Sequence, residues 1–401
     1  MVSPMKTSVN VVLHTPEPGS GAGRYVYELT RALASNGWGA TLLAPDNFEY
    51  RNSLASEAGV EFSGLGLRTN GSGRGLVRRT IDNLRFALNA CWTQLRSTRK
   101  TQVIHFQFPL HLPFGLVPFL LAKLGGLKIV FTAHDPVPHK WLFRAPWNRL
   151  ERWSLACAYS LSDRVIVHSA AGFNTVMKEF AIPPSKLAVI AHGPFSLPLQ
   201  AEESLPSDRL NVLLFGALRE NKGIHLAIEA VGNLVQQGIP IRLTIAGETP
   251  NGKEEAYWSV CEQLLAASPA EIELKKRYIQ EDEVPGLLAQ AHCVLLPYTA
   301  FSSDSGIAAL ALSNAKPIVA SSSGGLGELL GAAQLGIKIG EPTVAGIEEA
   351  LRAAWLAGPD ELERLGRNGA DHLLENCSWR VVAQKTGAVY QELSVGENRA
   401  A

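Results

Sequence analysis

Two cations stand close together near the middle of the chain, directly after an apolar run. The run Asn211–Phe215 predicts a buried strand, which Gly216 ends. Arg219 and Lys222 follow, just before a helix expected to start near Gly223. Cations where a glycine turn leads from a strand into a helix suit a phosphate at the carboxyl edge of an α/β sheet. The spacing is not that of a P-loop, so the pair predicts a clamp on the diphosphate of a leaving group. The alternative is a solvated turn.

The bulk composition is that of an ordinary globular enzyme. The chain has 401 residues, 46% of them hydrophobic and 18% charged, which is too long for one compact core and favours two domains. Its formal net charge is zero, so a nucleic-acid partner has no electrostatic support. The five cysteines are scattered and never in C-x-x-C spacing, which indicates reduced thiols rather than a disulfide frame or a zinc site.

Short apolar runs alternate with longer helical patterns in both halves of the chain. This alternation predicts an α/β fold of two doubly wound, Rossmann-like domains facing a cleft. The expected strands are Val9–Leu13, Ala40–Leu43, Val103–Phe106, Lys128–Thr132, Arg164–Val167, Leu187–Ile190, Asn211–Phe215, Arg242–Ala246, Ile272–Leu274, Cys293–Leu296 and Pro317–Ala320. The expected helices include Tyr25–Asn36, Gly223–Gln237, Val284–Gln290 and Gly306–Ser313.

A proline-rich segment separates the two halves. Residues 194–208 hold three prolines and a charge cluster without sustained periodicity, which is typical of a linker. We therefore expect an N-terminal domain over 1–193, a linker over 194–208 and a C-terminal domain over 209–380. Residues 381–401 include a last helix, Val381–Leu393.

Eight motifs, taken in order, resemble those of a known enzyme family. They are Gly19–Leu29, Thr132–Asp135, Val165–Ser169, Ile190–Gly193, the Arg219/Lys222 loop, Leu295–Tyr298, Ala315–Ala320 and Gly324–Glu328. With this order and spacing the chain resembles a retaining glycosyltransferase of family four (glycosyl transferases group 1), which has the GT-B architecture. The resemblance covers nearly the whole chain. It implies that the first domain lies on the acceptor side, that the second binds the nucleotide sugar, and that the last helix crosses back onto the first domain.

The resemblance assigns roles to residues of the first half. Gly19, Gly21 and Gly23 lack the spacing of a dinucleotide fingerprint, but they let backbone approach a donor phosphate before a helix. The alternative is a flexible turn. His134 falls where the family has a histidine against the donor sugar, and Asp135 would orient it or face the acceptor. The bland alternative for His134 is a hydrogen-bonded core histidine.

The resemblance also implies a chemistry without a cofactor or a metal. In retaining transfer of this kind, the departing β-phosphate takes the proton of the acceptor hydroxyl on the same face, so no carboxylate pair is required. A nucleotide diphosphate sugar is the co-substrate. Arg219 and Lys222 would compensate the charge of the leaving diphosphate.

The chain departs from the family where most members carry two glutamates eight positions apart. Leu310 takes the place of the second glutamate, and the first falls near Ser302. A Ser-Gly turn replaces them, in which Ser303, Asp304 or Ser305 would cap a helix starting at Gly306 and direct its positive end at the diphosphate. Glu328 is the candidate contact for the ribose and Asp304 for a sugar hydroxyl.

The segment 68–100 raises the question of a membrane. It holds eight basic residues against one acid, with apolar residues at near-helical intervals. Such a segment suits peripheral contact with anionic lipid, and the alternative is a domain helix with a solvated basic face. The run Val9–Leu13 is too short for the core of a signal peptide. A cytoplasmic location is expected.

The predicted function is therefore transfer of a sugar from a nucleotide diphosphate to a glycan or lipid-linked acceptor, as in the synthesis of surface polysaccharide or glycolipid. Two alternatives stay open. One is a nucleotide-sugar epimerase, which shares the architecture but needs an acid–base pair at the sugar ring. The other is a non-catalytic nucleotide-sugar-binding protein, suggested by the missing glutamates.

Overall fold

The computed structural model describes residues 10–65, 85, 101–107, 115–138, 141, 146–195, 197, 205–249, 255–299, 305–332 and 334–395. The chain divides into two compact units. The first holds residues 1–191 and 378–401, and the second holds residues 192–377.

The first unit is built on a parallel sheet. Its strands are β1 (Asn10–His14), β2 (Gly39–Ala44), β3 (Val60–Gly64), β4 (Thr101–Phe106), β5 (Lys128–Thr132), β6 (Arg164–Val167) and β7 (Leu187–Val189), in the order 3-2-1-4-5-6-7. Its helices before residue 191 include α1 (Ser20–Ser35), α2 (Arg51–Ala55), α3 (Leu116–Leu124), α4 (Asn148–Leu161) and α5 (Ala170–Phe180). Central strands such as β1 are buried on both faces, as an apolar run in a parallel sheet predicts.

The second unit repeats this plan with a smaller sheet. Its strands are β8 (Leu210–Phe215), β9 (Ile241–Gly247), β10 (Glu271–Lys276), β11 (Cys293–Leu296), β12 (Ile318–Ser321) and β13 (Gly336–Ile339), in the order 10-9-8-11-12-13. The described helices are α6 (Ile224–Gln236), α7 (Glu255–Ala267), α8 (Val284–Ala289), α9 (Gly306–Ser313), α10 (Gly325–Ala332) and α11 (Val344–Cys377), which is broken at Gly358. Two parallel, doubly wound α/β sheets confirm the predicted fold class.

The last helix, α12 (Trp379–Val395), belongs to the first unit. The Tyr390 hydroxyl lies 2.6 Å from Nδ1 of His105, which is a residue of β4. The Trp379 ring meets the edge of Tyr25, with ring centroids 5.2 Å apart. The chain thus returns, after the second unit, to the sheet on which it began.

Strand order creates one switch point in each sheet. In the first unit the chain builds β1, β2 and β3 outward and then returns to lay β4 on the other side of β1. In the second unit the same reversal falls between β8 and β11. Loops that leave the carboxyl ends of such strand pairs diverge and leave a crevice, which is where ligands bind in open α/β sheets. Within the described residues, no helix combines the length and apolar character needed to cross a bilayer.

Candidate functional site

The loop after β8 carries the two cations predicted to bind phosphate. It runs over residues 216–223 and is named here the switch loop. Its last residues, Glu220–Lys222, form a short 3-10 turn, and α6 begins at Ile224, one residue beyond the predicted start. Gly223 has a φ of +67°, and a Cβ there would overlap the carbonyl oxygen of Pro297. Glycine therefore lets the loop lie directly against the segment that follows β11.

Lys222 is held over an aromatic ring at this switch point. Its Nζ lies 3.6 Å from the centroid of the Tyr298 ring, within the range of a cation–π interaction. The amide of Thr299 donates to the carbonyl of Asn221 at 3.1 Å, which ties the switch loop to the chain leaving β11. Arg219 precedes the 3-10 turn and is half-buried. Both predicted cations thus stand on one glycine-bounded loop at the carboxyl edge.

The start of α9 lies beside the same ring. Ser305 caps this helix, accepting a hydrogen bond from the amide of Ala308 at 3.2 Å, and Gly306 is its first residue. The Ser305 hydroxyl is also 3.3 Å from the Tyr298 hydroxyl. The predicted cap at Ser305 and the predicted bounds of the helix are confirmed. The positive end of the helix dipole therefore starts where the Lys222 ammonium is held. Asp304 and Ser303 lie outside the described residues.

Tyr298 joins these parts, and sequence reasoning did not select it as a site residue. Its carbonyl accepts hydrogen bonds from the hydroxyls of Ser321 at 2.8 Å and Ser323 at 3.2 Å. Burial raises the pKa of its phenol to about 12, so the ring stays neutral. The signal for it was present in the sequence, because a tyrosine follows Pro297 at the end of a fully apolar strand.

The position of the missing second glutamate is apolar. Leu310 lies in α9 with 8% of its surface exposed. No carboxylate can therefore reach a ribose from that position. Glu328, the candidate replacement, lies exposed in the first turn of α10. Its contact with a ribose stays a prediction.

In the first unit, the glycine run belongs to a helix rather than preceding one. Helix α1 begins at Ser20, five residues before the predicted start, with Gly19 as the capping residue and no side chain capping it. Gly21 and Gly23 lie in its first turn and bond as helix, since the amide of Gly23 donates to the carbonyl of Gly19 at 3.0 Å. The prediction that these glycines lie in a loop before the helix was wrong, because the helix already begins at Ser20. Amides still face outward at the helix start, beside the end of β1.

His134 lies at the same edge, after β5. Its Nδ1 is 3.1 Å from Nε2 of His168, and its Nε2 is 3.3 Å from Oε1 of Gln107. The edge of Tyr25, from α1, meets the His134 ring with centroids 4.5 Å apart. The structure therefore brings the glycine-rich helix and the predicted histidine together.

The hydrogen bonds of the histidine pair His134 and His168 define their tautomers. His168 donates from Nδ1 to the carbonyl of Ile190 at 2.9 Å. Burial lowers the pKa of His168 to about 4, so at neutral pH its Nε2 carries no proton and accepts from Nδ1 of His134. A neutral His134 then accepts at Nε2. The Gln107 amide donates to this nitrogen once it is turned so that Nε2, a buried group without a partner among the described residues, takes the place of Oε1.

Two further groups lie near this edge. Asp135 is exposed beside His134, and its charge acts to raise the pKa of His168 against the larger effect of burial. Glu17, between β1 and α1, has a pKa raised by burial. A desolvated carboxyl at a switch point is a candidate contact for an acceptor hydroxyl, and sequence reasoning missed it. His168 was not among the predicted site residues, and the structure makes it the partner that orients His134. In the described ranges, no three His, Cys, Asp or Glu side chains are grouped to hold a metal ion.

Comparison with known proteins agrees with this architecture. Residues 19–193 match the model for Glycosyltransferase Family 4, and residues 198–372 match that for Glycosyl transferases group 1. The MMP alpha-(1->4)-mannosyltransferase of Mycolicibacterium hassiacum is 27% identical over 68% of this chain and 67% of its own length.

Two solved structures share the fold. Sucrose-phosphate synthase from Thermosynechococcus elongatus superposes with a TM-score of 0.76 and 17% identity, covering 97% of this chain and 100% of its own. Anabaena HepE, solved in complex with UDP and glucose, superposes with a TM-score of 0.70 and 15% identity, covering 95% and 99%.

Fold and sequence models together define the class as a glycosyltransferase with the GT-B fold. Within that class, the chain belongs to the family-four glycosyltransferases, as the predicted resemblance stated.

Proposed function

We propose that this glycosyltransferase uses a nucleoside diphosphate sugar as its donor and binds the diphosphate at the second-unit switch point. Two positive features meet there, the Lys222 ammonium over the Tyr298 ring and the capped start of α9 at Ser305. A diphosphate is the donor group that suits both, because it accepts hydrogen bonds from cations and from helix amides. HepE, whose fold is similar, was solved with UDP, which supports a nucleotide donor.

In this proposal each cation acts on the leaving group. Arg219 offers a planar set of donors that suits two phosphate oxygens, and Lys222 acts as a compact charge whose position the Tyr298 ring restricts. As the glycosidic bond breaks, negative charge grows on the β-phosphate. Donors already in position stabilise that charge without reorganisation. Arg219 and Lys222 are therefore the residues proposed to lower the barrier.

We propose transfer with retention and without a metal ion. The β-phosphate oxygen that leaves the anomeric carbon accepts the proton of the attacking hydroxyl, and the new bond forms on the same face. The protein then needs no nucleophile and no acid–base carboxylate pair. His134 would hydrogen-bond the sugar and use its orientation by His168 to do so, while Gly19, Gly21 and Gly23 bring the start of α1 close to the donor. Asp135 is proposed to face the acceptor.

The acceptor is proposed to be a glycan or a lipid-linked glycan. The mannosyltransferase relative forms an α-(1->4) linkage by its name, which supports a glycan acceptor, and its likeness extends over two thirds of each chain. A cytoplasmic protein with peripheral membrane contact fits a lipid-linked acceptor. The basic segment 68–100, proposed for that contact, lies almost wholly outside the described residues.

The test is product analysis by proton NMR. The wild-type protein is incubated with UDP-, GDP- and ADP-sugars and an acceptor extract, with and without EDTA. The proposal expects a product whose anomeric coupling constant matches the donor, formed at the same rate with EDTA. A product of inverted configuration, or activity abolished by EDTA and restored by a divalent metal, would overturn the mechanism while leaving the donor class intact.

A non-catalytic donor-binding protein is the second candidate, and the buried Leu310 favours it. It predicts donor binding without turnover against every acceptor. Release of nucleoside diphosphate from a donor sugar, even slowly and with water as acceptor, would exclude this candidate.

A further inference from the structure

Helix α4 of the first unit exposes large apolar side chains along one side. Trp147, which precedes the helix, is 68% exposed, and Leu150 and Trp153 are 42% and 57% exposed. The spacing of three puts these residues, named here the tryptophan face, on one side of the helix. The other side is buried, as Leu155 and Tyr159 show.

The charges of this helix are distributed unevenly. Arg149 and Arg152 are exposed, flanking the tryptophan face, whereas its acid, Glu151, is 6% exposed. Arg152 also lies 3.2 Å from Glu179 and stacks over Phe180, so part of its charge is compensated. The exposed surface of α4 therefore combines indole rings, a leucine and a net positive charge.

The neighbouring helix continues this character. Helix α3 packs against α4, and its Leu120 and Leu124 are 46% and 83% exposed. Lys123 between them is paired with Asp163 at 2.8 Å. Two adjacent helices of one unit thus expose apolar side chains that neither needs for its own core.

We propose that the tryptophan face docks the first unit onto an anionic bilayer surface. Tryptophan prefers the membrane–water boundary, because its ring is apolar while its N–H can bond to water or to lipid headgroups. The flanking arginines complement anionic headgroups. A second copy of this chain suits the surface less, because it would bring arginines of the same sign together. This surface differs from the segment 68–100 and does not depend on the donor site.

The experiment is flotation of the full chain with lipid vesicles. Vesicles of phosphatidylcholine with phosphatidylglycerol are compared with phosphatidylcholine alone, at low and high salt. The wild type should float with the anionic vesicles, and Trp147→Ser/Trp153→Ser should lower its partition coefficient at least tenfold. Leu356→Ser is the matched control, because Leu356 is 75% exposed on a helix of the second unit and should leave flotation unchanged.

A second variant distinguishes loss of membrane binding from a folding defect. Leu150→Glu replaces an exposed leucine with an acid and should give the same loss of flotation, with an unchanged thermal melt. Equal flotation of wild type and both variants would overturn the proposal, as would a concentration-dependent dimer that the variants abolish. Binding of nucleoside diphosphates, measured on the same samples, reports on the donor site separately, so its failure is distinguishable from failure of the membrane surface.

Discussion

The carboxyl edges of the two sheets share a topology but differ in electrostatics. Beside β8 and β11 the second unit gathers Arg219, Lys222 and a capped helix start, all positive. At the ends of β4, β5 and β6, next to the switch point of the first unit, lie Gln107, His134 and His168, and burial keeps the His168 imidazole neutral. Identical strand order therefore does not dictate the chemistry at the edge, which is set by the residue types in the loops.

The difference indicates that the two units act on different groups of the substrates. A positive edge in the second unit suits a leaving group whose negative charge grows during the reaction. An edge lined by hydrogen-bonding imidazole and amide groups in the first unit suits hydroxyl groups, which need orientation more than they need a compensating positive charge. A substitution at one edge should therefore affect a different step from a substitution at the other.

The largest expected effect is acid destabilisation of the first unit. Burial lowers the pKa of His14 and of His168 to about 4 and of His105 to about 3. The unfolded chain binds these protons near pH 6.5, so stability is full above that pH and is lost as pH falls toward 4 and 3. One pKa unit corresponds to about 1.4 kcal/mol, so protonation of each histidine at low pH lowers the free energy of unfolding by on the order of a few kcal/mol.

Hydrogen exchange read by mass spectrometry between pH 7.5 and 4.5 tests this expectation. Amides of β1 and β4 should lose protection at a higher pH than those of β8 and β11. His105→Gln, which removes one titrating imidazole, should flatten the pH dependence. Simultaneous loss of protection in both sheets, at one pH, would contradict the assignment of acid sensitivity to the first unit.

Removing either cation of the switch loop should slow transfer strongly. Arg219→Ala and Lys222→Ala each lose stabilisation of the leaving diphosphate, and a rate loss on the order of 10²–10³ in kcat is expected from comparable donors. Steady-state kinetics with the preferred donor measures it. Lys338→Ala, an exposed lysine on the edge strand β13, is the control. A loss below threefold for Arg219→Ala and Lys222→Ala would remove both residues from the mechanism.

A smaller loss is expected at the histidine edge. His134→Ala removes one hydrogen bond to the sugar, for which a loss of about 10- to 100-fold in kcat is expected from bonds of this kind. His168→Ala should lose less, because it acts only by orienting His134. His168→Asn should recover part of that loss, since its amide can keep a bond to Nδ1 of His134. If His168→Ala were as slow as His134→Ala and Asn gave no recovery, orientation would not be its role.

The smallest effect separates the ring of Tyr298 from its hydroxyl. Tyr298→Phe keeps the aromatic face under Lys222 and should change donor affinity by less than about threefold. Tyr298→Leu removes the cation–π contact, worth about 0.5–2 kcal/mol, and should weaken donor binding up to about thirtyfold. Calorimetric titration of both variants decides between ring and hydroxyl. An equal loss in both variants, which both lack the hydroxyl, would assign the role to its bond with Ser305.

Much of the fold could be predicted from local patterns. The bounds of β5, β6, β11 and α9 agree with the expected ones, because apolar runs bounded by turn residues identify buried parallel strands. The edge strand Val60–Gly64 was missed, since half-exposed edge residues lack that pattern. The predicted start of helix α1 was five residues too late. Two glycines in its first turn have poor helix propensity, which tertiary packing overrides.

The site residues of the two edges also differed in how well the sequence predicted them. Arg219, Lys222 and Ser305 could be found because spacing along the chain and the cap before a helix are local signals. The pairing of His134 with His168 joins residues 34 positions apart, and Gln107 is 27 positions from His134. Their contact depends on the parallel register of β4, β5 and β6, so only the folded sheet reveals it.

The most direct test of the positive edge is a thermal-shift panel of UDP, GDP and ADP on the wild type and on Arg219→Ala/Lys222→Ala. The account predicts that one nucleoside diphosphate raises the melting temperature of the wild type, and that the double variant, equally stable without ligand, loses that shift. An equal shift in both proteins, or no shift of the wild type with any of the three, would contradict a diphosphate site at the switch loop.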